Sequence, residues 1–368
     1  MKISRVSLVQ VALPLKEPFV TSWGTVKRRA SIVVEVVDEE GLVGWGECVA
    51  FAGPWYTEET IETAWHVIRD FLAPLLWQEP IGTPEEVSLR FSPVRGNLMA
   101  KAGVESAIQD LYAKRLERPL AQWLGGDLKP LPLGAAVAMN SVPAMLAEID
   151  QRLAEGYRQI KLKIGPGKDL VYLEAVRDRF PDLELMADAN GAYSRKDFSQ
   201  LRAMDHLDLK MLEQPLAAGD WFGHRDLQNQ IHTPICLDES IRTEDDLDLA
   251  IGLKSCQAIN LKWGRVGGLY PALRMLKRCH QHGIAAWCGG MLESGIGRGH
   301  SLALSTVPGV LLPGDVSAAN RYWEEDIVTP EATLVDGYLT IPNAPGIGYA
   351  LNPKQLERVT VTRQEYRP

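Results

Sequence analysis

The sequence predicts an α/β chain: a (β/α)8-type, modified TIM barrel with an α+β capping domain built from the N-terminal region and the C-terminal tail. Three observations predict it. From residue 130 onward, short apolar runs alternate with amphipathic stretches of helical period. Charged residues sit at the ends of five consecutive apolar runs, with gaps of 25, 25, 25 and 24 residues. Residues 3–47 read as strands and residues 57–125 as helices, a texture distinct from the strand–helix alternation after residue 130. The expected divisions are 1–128 for the N-terminal capping domain, 129–316 for the barrel and 317–368 for a segment returning to the cap.

In chain order, residues 3–12 alternate loosely and residues 31–37 are rich in β-branched side chains. The turn at 38–41 ends on Gly41, where positive φ is cheap, and residues 42–47 return as a strand. Residues 15–27, polar and aromatic, are expected to form a long loop. Residues 100–117 give the clearest helix, with Val104, Ile108 and Leu111 on one stripe. Residues 133–138, 159–164, 184–188, 210–213, 235–238, 258–261, 284–288 and 310–312 then read as buried parallel strands. Between them, Met145, Ile149 and Leu153 run to Gly156, Thr243 with Asp246 forms a capping box, and Leu269, Leu273 and Leu276 end before Gly283. An open doubly wound sheet is the alternative, but G-x-G-x-x-G is missing after residues 133–138. Residues 338–341 read as a strand in a tail that folds back on the N-terminal domain.

The chain has 368 residues and a net charge of −8. That acidity argues against nucleic acid and anionic lipid as partners. No uncharged stretch is both long and apolar enough to span a membrane, and residues 1–6 lack an apolar h-region. Five scattered cysteines without C-x-x-C argue against disulfides or a zinc site. The expectation is a cytoplasmic enzyme acting on a small molecule.

The phased residues are Lys163, Asp188, Glu213, Asp238 and Lys262. A spacing of one βα unit places them at one height, at the strand ends that face a barrel's active-site mouth. Three carboxylates there repel one another unless a cation neutralises them, and hard oxygen ligands without His or Cys favour Mg2+, with Mn2+ the substitute. Lys163 and Lys262 flank the triad and approach a substrate from opposite faces. Lys161, two residues before Lys163 on the same strand face, lowers the pKa of Lys163 toward that of a useful base. The chemistry this set suits is removal of a proton α to a carboxylate, with the metal stabilising the enediolate. His206, His224, His232, His280 and His282 lie off the phased set and read as structural.

These residues resemble the enolase superfamily in its muconate lactonizing enzyme subgroup, through Lys161-Leu-Lys163, Asp188-Ala-Asn190, Glu213-Gln-Pro215, Asp238-Glu-Ser240 and Lys262. Residues 260–268, 287–295 and 312–317 are most similar to the o-succinylbenzoate synthase / N-acylamino acid racemase family. The resemblance implies that Lys163 and Lys262 are the acid/base pair, that Asp188, Glu213 and Asp238 bind Mg2+, and that Asn190 and Glu239 orient those ligands. It implies either dehydration of a cyclohexadiene carboxylate to o-succinylbenzoate, for menaquinone, or racemisation of N-succinyl and other N-acyl amino acids. It also implies a homo-oligomer. Arg265 fits the branch in which racemisation is found. Ala136 stands where relatives carry Ser. Asp315-Val-Ser317 replaces the Asp-x-Asp expected of dipeptide epimerases. Expected substrate contacts are Phe19, Thr21, Ala50, Trp55, Ala136, Arg265, Gly289, Gly290, Met291 and Asp315, with Trp23 and Val49 beside them in a lid. A catalytically silent barrel serving as a binding protein is the remaining alternative.

Overall fold

The structure, a computed structural model, describes all residues except 22, 23, 139 and 312; the side chains of residues 19–21, 24 and 25 also lie outside the described set. Expectations for Phe19, Thr21 and Trp23 as lid residues therefore fall outside it.

The cap is a four-stranded antiparallel sheet in the order Thr360–Tyr366, Ile3–Thr21, Gly24–Asp38, Val43–Cys48. Its two central strands are apolar on both faces in their buried parts because each face meets a different core. Val34 and Val36 face the core of the cap, while Val33 joins the core of the barrel. Val6 and Leu8 face the cap core and Val9 and Val11 the barrel, the alternation of a pleated strand. The helix Leu98–Arg115 covers the sheet, with Val104, Ile108 and Leu111 in the cap core. The expected loop at 15–27 is instead a continuation of the hairpin, with Phe19 paired to Val26 and Thr21 to Gly24. Its polar residues and lack of apolar alternation hid the strand.

The barrel contains seven parallel strands in consecutive order: Gly134–Val137, Gln159–Lys163, Glu184–Asp188, Leu212–Glu213, Ile235–Leu237, Ala258–Leu261 and Ala285–Cys288. The expected eighth strand is not a ladder among the described residues. Single bridges, Ala286 to Val310 and Leu133 to Gly314, occupy its place between the seventh and first strands. Inward positions follow a period of two. Met186, Cys236, Ala258 and Trp287 form an apolar floor, and Asp188, Asp238 and Asn260 stand two positions beyond the first three of them.

Buried carboxylates of the cap bind the two domains together. Glu47 accepts from Ser294 N–H (3.1 Å) and Gly297 N–H (3.0 Å), at the start of the helix Gly295–Ser305. Glu105 accepts from Leu269 N–H (2.7 Å) and Tyr270 N–H (3.0 Å), at the start of the helix Leu269–His282. Helix N-termini favour negative charge at such points. Each approach needs a glycine: a Cβ on Gly297 or on Gly268, which sits at φ +130, would collide with the carboxylate. Among the described residues no helix is long and apolar enough to cross a membrane.

Burial pushes the Glu105 carboxyl up to about 7. The folded chain therefore holds a proton there that the unfolded chain releases near 4.5, and the associated stability is lost as pH rises through about 7. Urea unfolding from pH 4.5 to 8 should show wild type losing on the order of 3 kcal/mol relative to Glu105→Gln. Parallel curves for the two proteins would contradict this assignment.

Candidate active site

The charged residues meet at the C-terminal ends of the barrel strands. In the ladder Lys163 pairs with Asp188 and Asp188 with Glu213, but Glu213 pairs with Cys236, so Asp238 stands two residues farther on. Tilted strands require this stagger to keep a ring of residues at one height. Asp188, Glu213 and Asp238 are each 1% exposed or less.

Four carboxylates face four cations. Lys161 Nζ lies 2.6 Å from Asp315, 3.1 Å from Glu213 and 3.3 Å from Asp188, and 4.9 Å from the centre of the Trp287 ring. Lys163 Nζ donates to Asp188 (2.6 Å) and to Asn190 Oδ1 (2.7 Å). Lys262 Nζ donates to Asp238 Oδ2 (2.8 Å). Arg265 is 2% exposed; its Nη1 binds Asp238 Oδ1 and Tyr56 Oη, and its other nitrogens donate to the carbonyls of Ile241 (3.0 Å) and Asn260 (2.8 Å). Arg265 thus meets a carboxylate ligand candidate, with its nitrogens already engaged by protein acceptors.

Burial pulls the Asp188 and Asp238 carboxyls up. Lys163 and Lys161 at Asp188, and Arg265 and Lys262 at Asp238, outweigh it and hold both below the ordinary range. Glu213 goes the other way: burial, then the charge of Asp188, push it up to about 8. Burial lowers Lys161 and Lys262, but the carboxylates around them prevail and raise both.

Other expected residues surround this cluster. Asn190 links Lys163 to Glu239 through a 3.0 Å bond from Nδ2 to Oε1. Ala136 flanks Lys161 in the ladder, and its carbonyl accepts from Arg321. Gly290 N–H donates to Asp315 Oδ1 (2.9 Å), and Gly289 lies against the Asn260 amide with no room for a Cβ. Val49, Ala50 and Met291 are buried in the core of the cap, and Trp55 is exposed. A cavity of about 310 Å³ between cap and barrel is lined by Tyr56, Glu58, Trp221, Glu239, Arg242 and Arg265.

Sequence reasoning missed two residues. Tyr56 reaches down from the cap to Arg265 Nη1 (2.6 Å) and over Lys262 (5.4 Å from ring centre to Nζ), and burial raises its hydroxyl to about 12. Asn260 donates to Glu213 Oε1 (2.7 Å). Asn260 was discoverable, since it precedes Lys262 by two residues and so shares its strand face. Tyr56 carried no such signal.

Donor chemistry tests whether these residues suit a divalent metal. Three buried hard-oxygen carboxylates converge from neighbouring strands, and Glu213 Oε2 has the Lys161 ammonium beside it but no well-directed hydrogen bond. As the side chains stand, no group of three or more His, Cys, Asp or Glu closes around one point among the described residues. The ammonium groups of the lysines engage the carboxylates instead. The residues fit a metal in kind, and ligation requires the lysines to withdraw.

Residues 3–125 match the mandelate racemase / muconate lactonizing enzyme N-terminal domain, and residues 144–355 the enolase C-terminal domain-like family. The chain belongs to the mandelate racemase / muconate lactonizing enzyme family of the enolase superfamily. Enzymes of this family are generally dependent on a divalent metal. The chain is 51% identical over 359 residues to an o-succinylbenzoate synthase of Geobacillus stearothermophilus, covering 97% of this chain and 96% of that one. It is 43% identical to an N-succinylamino acid racemase of Thermus thermophilus, covering 98% of each. A solved structure of an enolase superfamily member from Listeria innocua superimposes with a TM-score of 0.98 at 44% identity, over 100% of this chain and 99% of that one.

Lys161 is the cation with the most carboxylate partners. Lys161→Met should leave Asp188, Glu213 and Asp315 without their shared ammonium and cost about 3–5 kcal/mol of metal-free stability in urea unfolding. A loss below about 1 kcal/mol, the range of a surface pair, would show that the neighbouring lysines compensate.

Proposed function

We propose that this enzyme is an o-succinylbenzoate synthase. It dehydrates 2-succinyl-6-hydroxy-2,4-cyclohexadiene-1-carboxylate through an enediolate, in menaquinone biosynthesis, as a homo-oligomer in the cytoplasm. Asp188, Glu213 and Asp238 hold Mg2+, or Mn2+ in its place, while Asn190 and Glu239 orient the ligands. When bound, the metal supplies charge stabilisation at the substrate carboxylate. Lys163 removes the α-proton, the C–H electron pair moves into the enediolate, and the same ammonium returns the proton to the departing hydroxyl, releasing water. Lys262 stays charged over the opposite face.

One observation carries this reading: the two lysines are not equivalent. The Lys163 side chain is 34% exposed and opens to the mouth, whereas that of Lys262 is 10% exposed, held beside Asp238 and raised in pKa. A solvent-facing base opposite a buried cation suits a one-base elimination. Full-length relatives named o-succinylbenzoate synthase support the same assignment. Racemisation of N-succinylamino acids is a second activity of the site. The reading that makes it the main role is favoured by Arg265 beside Asp238 and by relatives named for it. Ala136, Trp55, Gly289 and Gly290 border the substrate, whereas Ala50 and Met291, expected there as well, are buried in the core of the cap, and Asp315 holds Lys161.

A side-by-side kinetic assay of the cyclohexadiene carboxylate and a panel of N-succinylamino acids tests this. We expect the higher kcat/KM for dehydration, and no turnover by a folded Lys163→Ala. Substantial activity in that variant, or full activity after exhaustive chelation, would refute the mechanism. Absence of α-proton exchange from N-succinylamino acids in D2O would remove the second activity.

Metal binding should also be proton-linked. With Glu213 up to about 8, ligation at neutral pH expels its proton. Mg2+ affinity should therefore weaken about tenfold per pH unit below 8. Calorimetry in buffers of different ionisation enthalpy should register close to one proton released at pH 7, and pH-independent binding would contradict the assignment.

A further inference from the structure

We propose that Gln214 is a positioning residue for the metal. Its side chain serves as an extra rung that fixes the strand end carrying Asp238 against the one carrying Glu213. The inference rests on the reading that these carboxylates bind the metal.

The ladder between the fourth and fifth barrel strands ends too early to do this itself. Leu212 pairs with Ile235 and Glu213 with Cys236, and the fifth strand stops at Leu237. Asp238 is the first residue past it, so its backbone N–H lies beyond the regular pairing. The N–H donates to Gln214 Oε1 at 2.9 Å, and the N–H of Ser240 donates to the same oxygen at 3.2 Å. The amide nitrogen of Gln214 donates to the Leu216 carbonyl (3.0 Å) and to Ser240 Oγ (2.8 Å), and Ser240 Oγ donates to the Ala218 carbonyl (2.9 Å). The amide cannot be turned around: a flip would set its N–H donors against two backbone N–H groups and its oxygen against a carbonyl.

Gln214 is 1% exposed and sits at φ +37, a left-handed conformation unusual for a residue with a side chain. That backbone places consecutive residues in different tasks: Glu213 on the barrel's inner face, Gln214 sideways across to the next strand end. A side chain that ties down both neighbours of Glu239 leaves the 238–240 segment one conformation, with Asp238 presented to the centre. Gln214 touches the ligand's backbone and no reacting group, so its effect is expected on metal affinity, one of the two properties that such supporting residues change.

The test is Mg2+ titration of the substrate-free full chain by calorimetry, with kcat and KM measured at saturating Mg2+. Gln214→Met removes every side-chain hydrogen bond and should weaken Mg2+ by roughly 10–100-fold, with turnover largely restored at saturating metal. Gln214→Glu keeps oxygens for the Asp238 and Ser240 N–H groups and should retain more affinity than Met. Ser240→Ala, which removes one tie, should also weaken Mg2+, to a smaller extent, and decides the matter if Gln214→Met does not fold. Mg2+ affinity within about twofold of wild type in the folded variants, with only stability reduced, would overturn the proposal. A wild type that binds no Mg2+ would overturn the metal reading and this inference with it.

Discussion

Charge compensation in a buried ring is the constraint on which the rest of this structure depends. Asp188, Glu213, Asp238 and Asp315 stand opposite Lys161, Lys163, Lys262 and Arg265 on top of an apolar barrel floor. Taking a charge out of water costs several kcal/mol unless a partner is close. No member of the ring can therefore be considered alone. Glu213 illustrates the rule by exception: Lys161 is its near ammonium and Lys161 is shared three ways, so Glu213 is the ligand carboxyl that burial pushes toward the neutral form. A divalent cation among these carboxylates changes the balance by two charges. The lysines that lose carboxylate partners to it are then held less firmly as ammonium ions.

The same use of buried carboxylates holds the cap in place. Glu47 and Glu105 each end on the first N–H groups of a barrel helix, and Asp110 joins the Trp45 N–H (2.8 Å) to the Ile347 N–H (2.7 Å) of the C-terminal segment. A helix N-terminus offers N–H donors that the helix cannot use itself. The cap is thereby fixed at points away from the mouth. Tyr56 reaches Lys262 and Arg265 from a cap already held, so its position depends on packing far from the chemistry.

The barrel is legible in the sequence because its strands are buried on both faces and its unit length is nearly constant. The phased lysines and carboxylates come out of that period, and the structure places them in one ring. The features that stayed hidden share a physical pattern. The hairpin beyond residue 14 carries no apolar alternation, and among the described residues the eighth strand position is filled by isolated bridges without a ladder. Tyr56 acts across 206 residues of chain on Lys262, a separation that no local pattern encodes. Arg265 reads from the sequence as a substrate contact, yet its guanidinium is engaged by Asp238, Tyr56 and two carbonyls. Sequence spacing locates a residue on the rim but does not say which way a long side chain turns.

One ring can serve two reactions because both begin with the same carbanionic event. Dehydration needs a leaving hydroxyl on the face of the base; racemisation needs a second base on the opposite face. The ring supplies a lysine on each side and leaves the outcome to substrate pose. On the proposed reading, pose falls to the surfaces around the ring: the first barrel strand at Ala136, the loop at Gly289 and Gly290, and the cavity beneath Tyr56. Those surfaces are built from small residues and from the cap, and they touch the ring at few points, the Gly290 N–H on Asp315 and Tyr56 on Arg265. Substitutions there should move the ratio of the two reactions, while substitutions in the ring should depress both together.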